Sequence, residues 1–362
     1  MRIGFVAEPY EESHASGMGY VVLEYMRNLP LGSNDSLTIF SSKQVSKEVL
    51  GRDFSYVQVP KGLLGKFFYF LRYRDVDVLL FIAPLLPLVP PRVTRSVMIC
   101  QELASQKTPV SGLREKTLAF VRDQILMPRS LSRARLIIAA SGATKKDIHA
   151  YYSVPEEKVR VVYDGYQDLS VFDRTAPAVE EKLKPFFFFA GKVKSRKNVH
   201  GIVSAFVHFK KRIQSPVKLV IAGDYGGLYY ENMVKELKTN NLEADVFFVG
   251  YASGARLYSF YKNALALVFP SFNEGFGMPP VEAMSLGLPV ITSNVSSMAE
   301  VVGDAGLLVN PHDLEDISKA MERIYTDAAL RERLIERGMV RSKDFSWPKA
   351  AREVMGHIRT VV

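Results

Sequence analysis

Phe269-Pro270-Ser271-Phe272-Asn273-Glu274-Gly275-Phe276-Gly277-Met278-Pro279-Pro280-Val281-Glu282-Ala283-Met284-Ser285-Leu286-Gly287-Leu288-Pro289-Val290 reads as the end of one strand, a glycine-rich loop, a short helix and the start of the next strand. The prolines at 279 and 280 suit a first helical turn, where the N–H they lack has no partner within the helix, and Gly287 suits the cap that ends it. Such a loop aims backbone N–H groups outward from a helix N-terminus, an arrangement that binds phosphate or sugar oxygens. Glu274 in the loop and Glu282 in the first helical turn bracket it. That spacing lets two carboxylates grip separate hydroxyl groups of one extended ligand.

Working outward, short apolar runs alternate with stretches of helical period along the whole chain, as expected of βαβ units with parallel sheets covered on both faces. Strand candidates in the first half are 3–7, 37–40, 76–82, 97–100, 136–139 and 159–163, and in the second half 186–190, 218–222, 246–249, 266–269, 289–292 and 306–309. Between the halves Gln167–Lys184 is rich in charge and small residues without strong period and reads as a linker. The sequence therefore predicts an α/β protein of two Rossmann-like domains, residues 1–168 and 185–344. A long helical stretch from Leu314 to about Asp344 is interrupted by Phe345-Ser346-Trp347-Pro348, after which 345–362 forms a last helix that leaves the second domain.

A second chemical element is Phe186-Phe187-Phe188-Phe189-Ala190-Gly191-Lys192-Val193-Lys194-Ser195-Arg196-Lys197-Asn198-Val199, a buried strand that ends in a cationic loop and then a helix. With the Glu-x7-Glu pair of the first element, the sequence resembles retaining glycosyltransferase family 4, of GT-B architecture. The resemblance is dense from about Phe186 to Pro311 and diffuse before Ala134.

The resemblance implies parallel sheets facing across a cleft that holds the donor, with the last helix crossing back to the first domain. It implies that Glu274 contacts the transferred sugar and Glu282 the ribose hydroxyls, with Gly275, Phe276, Gly277 and Met278 between them. It implies that Lys197, Arg196 and Lys192 clamp the donor diphosphate. Val246-Phe247-Phe248-Val249-Gly250-Tyr251, followed by Leu257 and Tyr261, is similar to the segment that cradles the nucleobase. Ser16-Gly17-Met18-Gly19-Tyr20 is similar to a first-loop glycine motif, with Gly17 and Gly19 permitting close approach of a phosphate or acceptor. The implied reaction keeps the anomeric configuration, the leaving phosphate helping to deprotonate the acceptor hydroxyl.

One departure concerns the stretch where relatives carry H-D-L, which here is Cys100-Gln101-Glu102-Leu103. A carboxamide donates a hydrogen bond as a neutral imidazole does, yet only histidine takes up a proton near neutral pH. Gln101 is a candidate to hold a sugar hydroxyl or to line the cleft wall, not a general base. Asp75-Val76-Asp77 matches a metal-binding D-x-D but opens a strand instead of following one, and no metal or cofactor is expected.

The chain has 47 Lys and Arg against 38 Asp and Glu, a formal charge of +9, which asks for acidic company: a phosphorylated substrate, an anionic membrane face or nucleic acid. Basic residues dispersed along the sequence argue against nucleic acid. Lys61 to Arg74 mixes Lys and Arg with aromatics, as an interfacial membrane segment does, or as aromatics packed under the first sheet would. The single Cys100 sits in an apolar run and reads as a buried inert thiol. The start lacks a secretory leader's pattern, so a cytoplasmic protein is expected, with the inner membrane face as an alternative place of work and a glycan or lipid-linked acceptor as partner. The segment Ser293 to Gly306 looks most like relatives that build bacterial surface polysaccharide, some from GDP-mannose. A non-catalytic nucleotide-sugar binder of the same fold is the alternative. A two-domain dehydrogenase is disfavoured because Ala7-Glu8-Pro9 stands where G-x-G-x-x-G would follow the first strand.

Overall fold

The computed structural model describes residues 1–7, 17–60, 75–82, 95–103, 117 and 120–361. The segment 61–74, for which a membrane contact is expected, lies outside the described residues. The chain divides into two compact units, Met1–Gly165 with Ser346–Val362, and Tyr166–Phe345. Among the described residues no helix is long and apolar enough to cross a membrane.

The first unit is built on strands β1 (Arg2–Val6), β2 (Ser36–Ser41), β3 (Ser55–Gln58), β4 (Val78–Ile82), β5 (Arg95–Cys100), β6 (Leu136–Ala139) and β7 (Val159–Val161), in the order β3-β2-β1-β4-β5-β6-β7. Every pair is parallel. Apolar runs such as Val78–Ile82 are buried at every position because helices cover both faces, so they read as continuous rather than alternating. Strand β3 has no counterpart in the sequence reading. Its residues, Ser-Tyr-Val-Gln, are mostly exposed at the sheet edge, so burial leaves no apolar signature there. The terminal helix Trp347–Val361 belongs to this unit, with Trp347 edge-on to Tyr20 and Tyr25 at 6.0 and 5.3 Å between ring centroids.

The second unit repeats the plan with β8 (Phe186–Ala190), β9 (Lys218–Ala222), β10 (Val246–Gly250), β11 (Ala266–Phe269), β12 (Val290–Ser293) and β13 (Leu307–Val309), in the order β10-β9-β8-β11-β12-β13, again all parallel. Alternation along β8 sends its four phenylalanines to opposite faces. Phe187 meets Phe209 of the helix Val199–Arg212 at 5.6 Å, whereas Phe188 stacks on Phe260 of the helix Gly254–Asn263 at 5.4 Å. All four are fully buried, each worth about 1.5–3 kcal/mol of transfer free energy.

Two expectations need correction. The stretch Gln167–Lys184 is not a free linker: it carries the 3-10 turns Leu169–Phe172 and Glu181–Leu183 and packs within the second unit. Tyr258 donates to Asp173 and Ser259 Oγ to the Pro177 carbonyl, which the charged, aperiodic sequence did not signal. The stretch from Leu314 is two helices, Leu314–Thr326 and Ala328–Ser342, because the Asp327 side chain accepts from Leu330 N and caps a new start.

Candidate functional site

In each unit the chain builds outward from a central strand on one side and then returns to the other. The second unit's reversal lies between β8 and β11, the topological switch point where open α/β sheets bind ligands beyond their carboxyl ends. The two elements singled out in the sequence leave these two neighbouring strands: the cationic loop follows β8 and the Glu274 loop follows β11.

They meet in one ion cluster. Glu274 Oε1 accepts from Lys197 Nζ at 2.9 Å and its Oε2 lies 3.2 Å from Arg196 Nη1, all three side chains being largely buried. Lys197 also sits over the Phe269 ring at 4.7 Å, a cation–π contact that fixes it from below. Burial pushes the Glu274 carboxyl up, but the two cations and the Lys197 hydrogen bond outweigh it and hold the group below the usual carboxylate range.

The loop is held from outside by residues the sequence reading did not single out. Ser296, at φ 57°, donates through Oγ to the Glu274 carbonyl at 2.8 Å and accepts from Glu274 N at 3.1 Å, while Ser297 Oγ donates to the Glu274 and Phe276 carbonyls. Asn198, in a left-handed conformation just before its helix, donates to the Pro270 and Pro311 carbonyls at 3.2 and 2.7 Å. It is a buried tie between loops. Adjacent hydroxyls and an Asn ahead of helices were the available signals.

Gly277 has φ 93°, and a Cβ there would stand 2.1 Å from the Met298 methyl, so the turn into the helix Met278–Ser285 requires glycine. Pro279 and Pro280 lack N–H groups, which leaves Gly277 and Met278 to supply the donors at this helix end. Gly223, at the end of β9, is a position sequence reasoning missed: its Cβ would lie 1.9 Å from the Gly191 carbonyl oxygen. The ends of β8 and β9 can therefore approach with bare backbone only.

Glu282 sits one turn inside the helix and not in its first turn, and it does not join the ion cluster. It is buried, with Oε2 accepting from the Tyr261 hydroxyl at 3.0 Å and the carboxylate accepting from Gln167 N–H. Burial pushes it up to about 7, partly offset by those two donors. Tyr261, placed by resemblance near a nucleobase, is fully buried and serves Glu282 instead. Tyr251 is exposed beyond β10, and Lys192 is exposed beyond β8.

Gly17, Gly19 and Gln101 belong to the first unit. Gly17 and Gly19 lie in the first turn of the helix Gly17–Asn28, with Gly19 buried. Gln101 follows β5 and is buried, its Nε2 donating to Asp164 Oδ1 at 3.3 Å. Tyr25 donates to the same oxygen at 2.9 Å, and burial pushes Asp164 up to about 7 against those two donors. Gln101 thus has one end of its amide committed. Cys100 beside it is buried and its thiol is pushed up to about 12 by burial first and by neighbouring carboxylates second, as an inert thiol would be. Asp77 of the D-x-D accepts from Arg2 at 2.8 Å.

Residues 173–341 match the family Glycosyl transferases group 1. The chain is 29% identical to O-antigen chain mannosyltransferase B of Escherichia coli over 267 residues, 72% of this chain and 68% of that one. It is 28% identical to the serotype-specific mannosyltransferase WbdA of Escherichia coli over 227 residues, which is 60% of this chain but only 28% of WbdA. The solved structure of HepE from Anabaena, in complex with UDP and glucose, superposes with a TM-score of 0.74 over 99% of this chain and 100% of HepE, at 16% identity. Residues 173–341 thus match a glycosyl transferases group 1 domain, and the chain that carries them has the GT-B fold.

Proposed function

We propose that the chain moves a sugar from a nucleoside diphosphate sugar, with GDP-mannose the favoured donor, to a hydroxyl of a glycan or lipid-linked acceptor in surface polysaccharide assembly, with retention of anomeric configuration. The observation that carries the reading is Glu274 locked between Lys197 and Arg196 at the switch point of the second sheet. The mannosyl donor is suggested by the names of the O-antigen relatives, and a nucleotide-sugar ligand by the UDP and glucose bound to HepE.

The parts divide the work as their chemistry allows. An ionised Glu274 is an acceptor-only group, suited to orient a hydroxyl of the transferred sugar. Arg196 and Lys197 carry one positive charge beyond what Glu274 neutralises, so they remain attractive to a diphosphate and offset the charge that grows on it as the glycosidic bond breaks. Because two preorganised cations meet that charge, the reading requires no metal ion. Glu282 takes the ribose hydroxyls. Gln101, tied to Asp164, orients the acceptor without serving as a base, which is consistent with the leaving phosphate receiving the acceptor proton.

Incubation with GDP-mannose and membranes containing acceptor glycan tests this directly. Label should enter the glycan in the presence of EDTA, with the α linkage of the donor preserved by NMR. Label from UDP- or dTDP-sugars alone would overturn the donor assignment, an inverted linkage would overturn retention, and donor binding without any turnover would favour the non-catalytic binder.

A further inference from the structure

We infer that Tyr261 is a positioning residue for nucleotide recognition: it holds the Glu282 carboxylate so that this group accepts from the ribose hydroxyls, and it sets the pH above which that contact forms. The inference rests on the donor-site reading above and adds to it a residue that touches no ligand.

Glu282 is a buried acid with no cation beside it among the described residues, unlike Glu274. Its partners are a phenol and a backbone N–H. Tyr261 projects from the helix Gly254–Asn263 and is 1% exposed, its ring edge-on to Phe188 at 5.3 Å, so packing fixes where its hydroxyl points. That hydroxyl donates to Oε2 at 3.0 Å, and Gln167 N–H supplies a second donor. An ionised carboxylate accepts about four hydrogen bonds, so two more remain for a vicinal diol. A protonated one loses acceptor capacity and becomes a donor, which a diol that also donates satisfies less well.

Among the described residues Tyr261 is the titratable group that acts on Glu282. Lys262, next on the same helix, turns to the Leu286 carbonyl at 3.3 Å. Tyr166 bonds Ser285 and Ser342. From the helix Ala328–Ser342, Arg331 reaches the Ile324 carbonyl and Arg341 the Val301 carbonyl. The balance at Glu282 is therefore burial against two neutral donors. Removing the phenol hydroxyl removes one of the two groups that favour the charged form, so the carboxylate ionises at higher pH and the ribose contact appears later.

Calorimetric titration of the full chain with GDP or UDP, whichever binds the wild type, and with its 2′,3′-dideoxy analogue between pH 6 and 9 tests this. The ratio of the two dissociation constants isolates the ribose hydroxyls, because titration of the phosphate cancels. In the wild type the ratio should grow about ten-fold as pH rises through neutrality, the size expected of hydrogen bonds to a charged group. Tyr261→Phe should give the same rise displaced upward by about one pH unit, with the contact recovered at pH 9, which also shows the variant is folded. Glu282→Gln should give a small ratio at every pH. A Tyr261→Phe curve lying on that of the wild type overturns the inference while leaving the donor site standing. A wild-type ratio near one at every pH, or no binding of either nucleotide, overturns the donor-site reading and the inference with it.

Discussion

At the carboxyl end of the second unit's sheet Glu274 meets two cations; at the same end of the first unit's sheet Asp164 meets, among the described residues, a phenol and an amide. Both acids are buried, yet they are pushed in opposite directions, Glu274 below the usual carboxylate range and Asp164 up to about 7. Glu282 resembles Asp164 and not its own neighbour: a buried acid, a tyrosine hydroxyl and, among the described residues, no cation. The difference separates a carboxylate that two cations hold ionised from carboxylates that burial shifts toward neutrality.

The largest effect should come from breaking the committed side. Lys197→Ala or Glu274→Gln should lower sugar transfer about 10²–10³-fold, the scale for loss of one preorganised charge-stabilising group. Steady-state kinetics with the labelled donor measure it. A loss below ten-fold in both would mean that the cluster is structural.

The next effect sharpens the contrast through pH. Asp164 has a folded value of about 7 against about 3.9 in an unfolded chain, so the folded state holds its proton longer. Its contribution to stability is full below about pH 4 and is lost as pH rises from there to about 7. Asp164→Asn should remove that slope, gaining on the wild type by on the order of 2–4 kcal/mol between pH 4 and pH 8 in urea unfolding. Glu274, held low, has the opposite sign: its stabilisation is present above the unfolded carboxylate value and is lost as pH falls through the folded one. Parallel pH profiles for Asp164→Asn and the wild type would remove the distinction between the two acids.

Smaller losses are expected from the neutral ties. Asn198→Ala should cost about 1–2 kcal/mol by leaving the Pro270 and Pro311 carbonyls without their donor. Tyr25→Phe should cost about 1 kcal/mol and steepen the rise in instability toward neutral pH, since one of the two donors that favour ionised Asp164 is gone. Chemical denaturation at pH 5 and pH 8 measures both.

Much of this was legible in the sequence because parallel strands buried on both faces write themselves as unbroken apolar runs, as in Phe186–Ala190 and Val78–Ile82. The loop chemistry was legible where side chains carry it: Arg196, Lys197 and Glu274 were named from the chain alone, and the structure brings them together. What was hidden lacked a side-chain signature. The edge strand Ser55–Gln58 buries little, the segment after Gln167 packs through backbone carbonyls and a few hydroxyls, and Gly223 matters for the atom it lacks. The pairing of Tyr261 with Glu282 joins residues 21 apart on separate helices, and no periodicity links them.

The most direct test of the donor site is calorimetric titration of the full chain with GDP-mannose, repeated on Lys197→Ala. Saturable binding that weakens at least ten-fold in the variant is the expected result, because a charge-assisted contact to the diphosphate is lost. An unchanged dissociation constant would contradict the site, and so would a chain that ignores nucleotide sugars yet binds NAD.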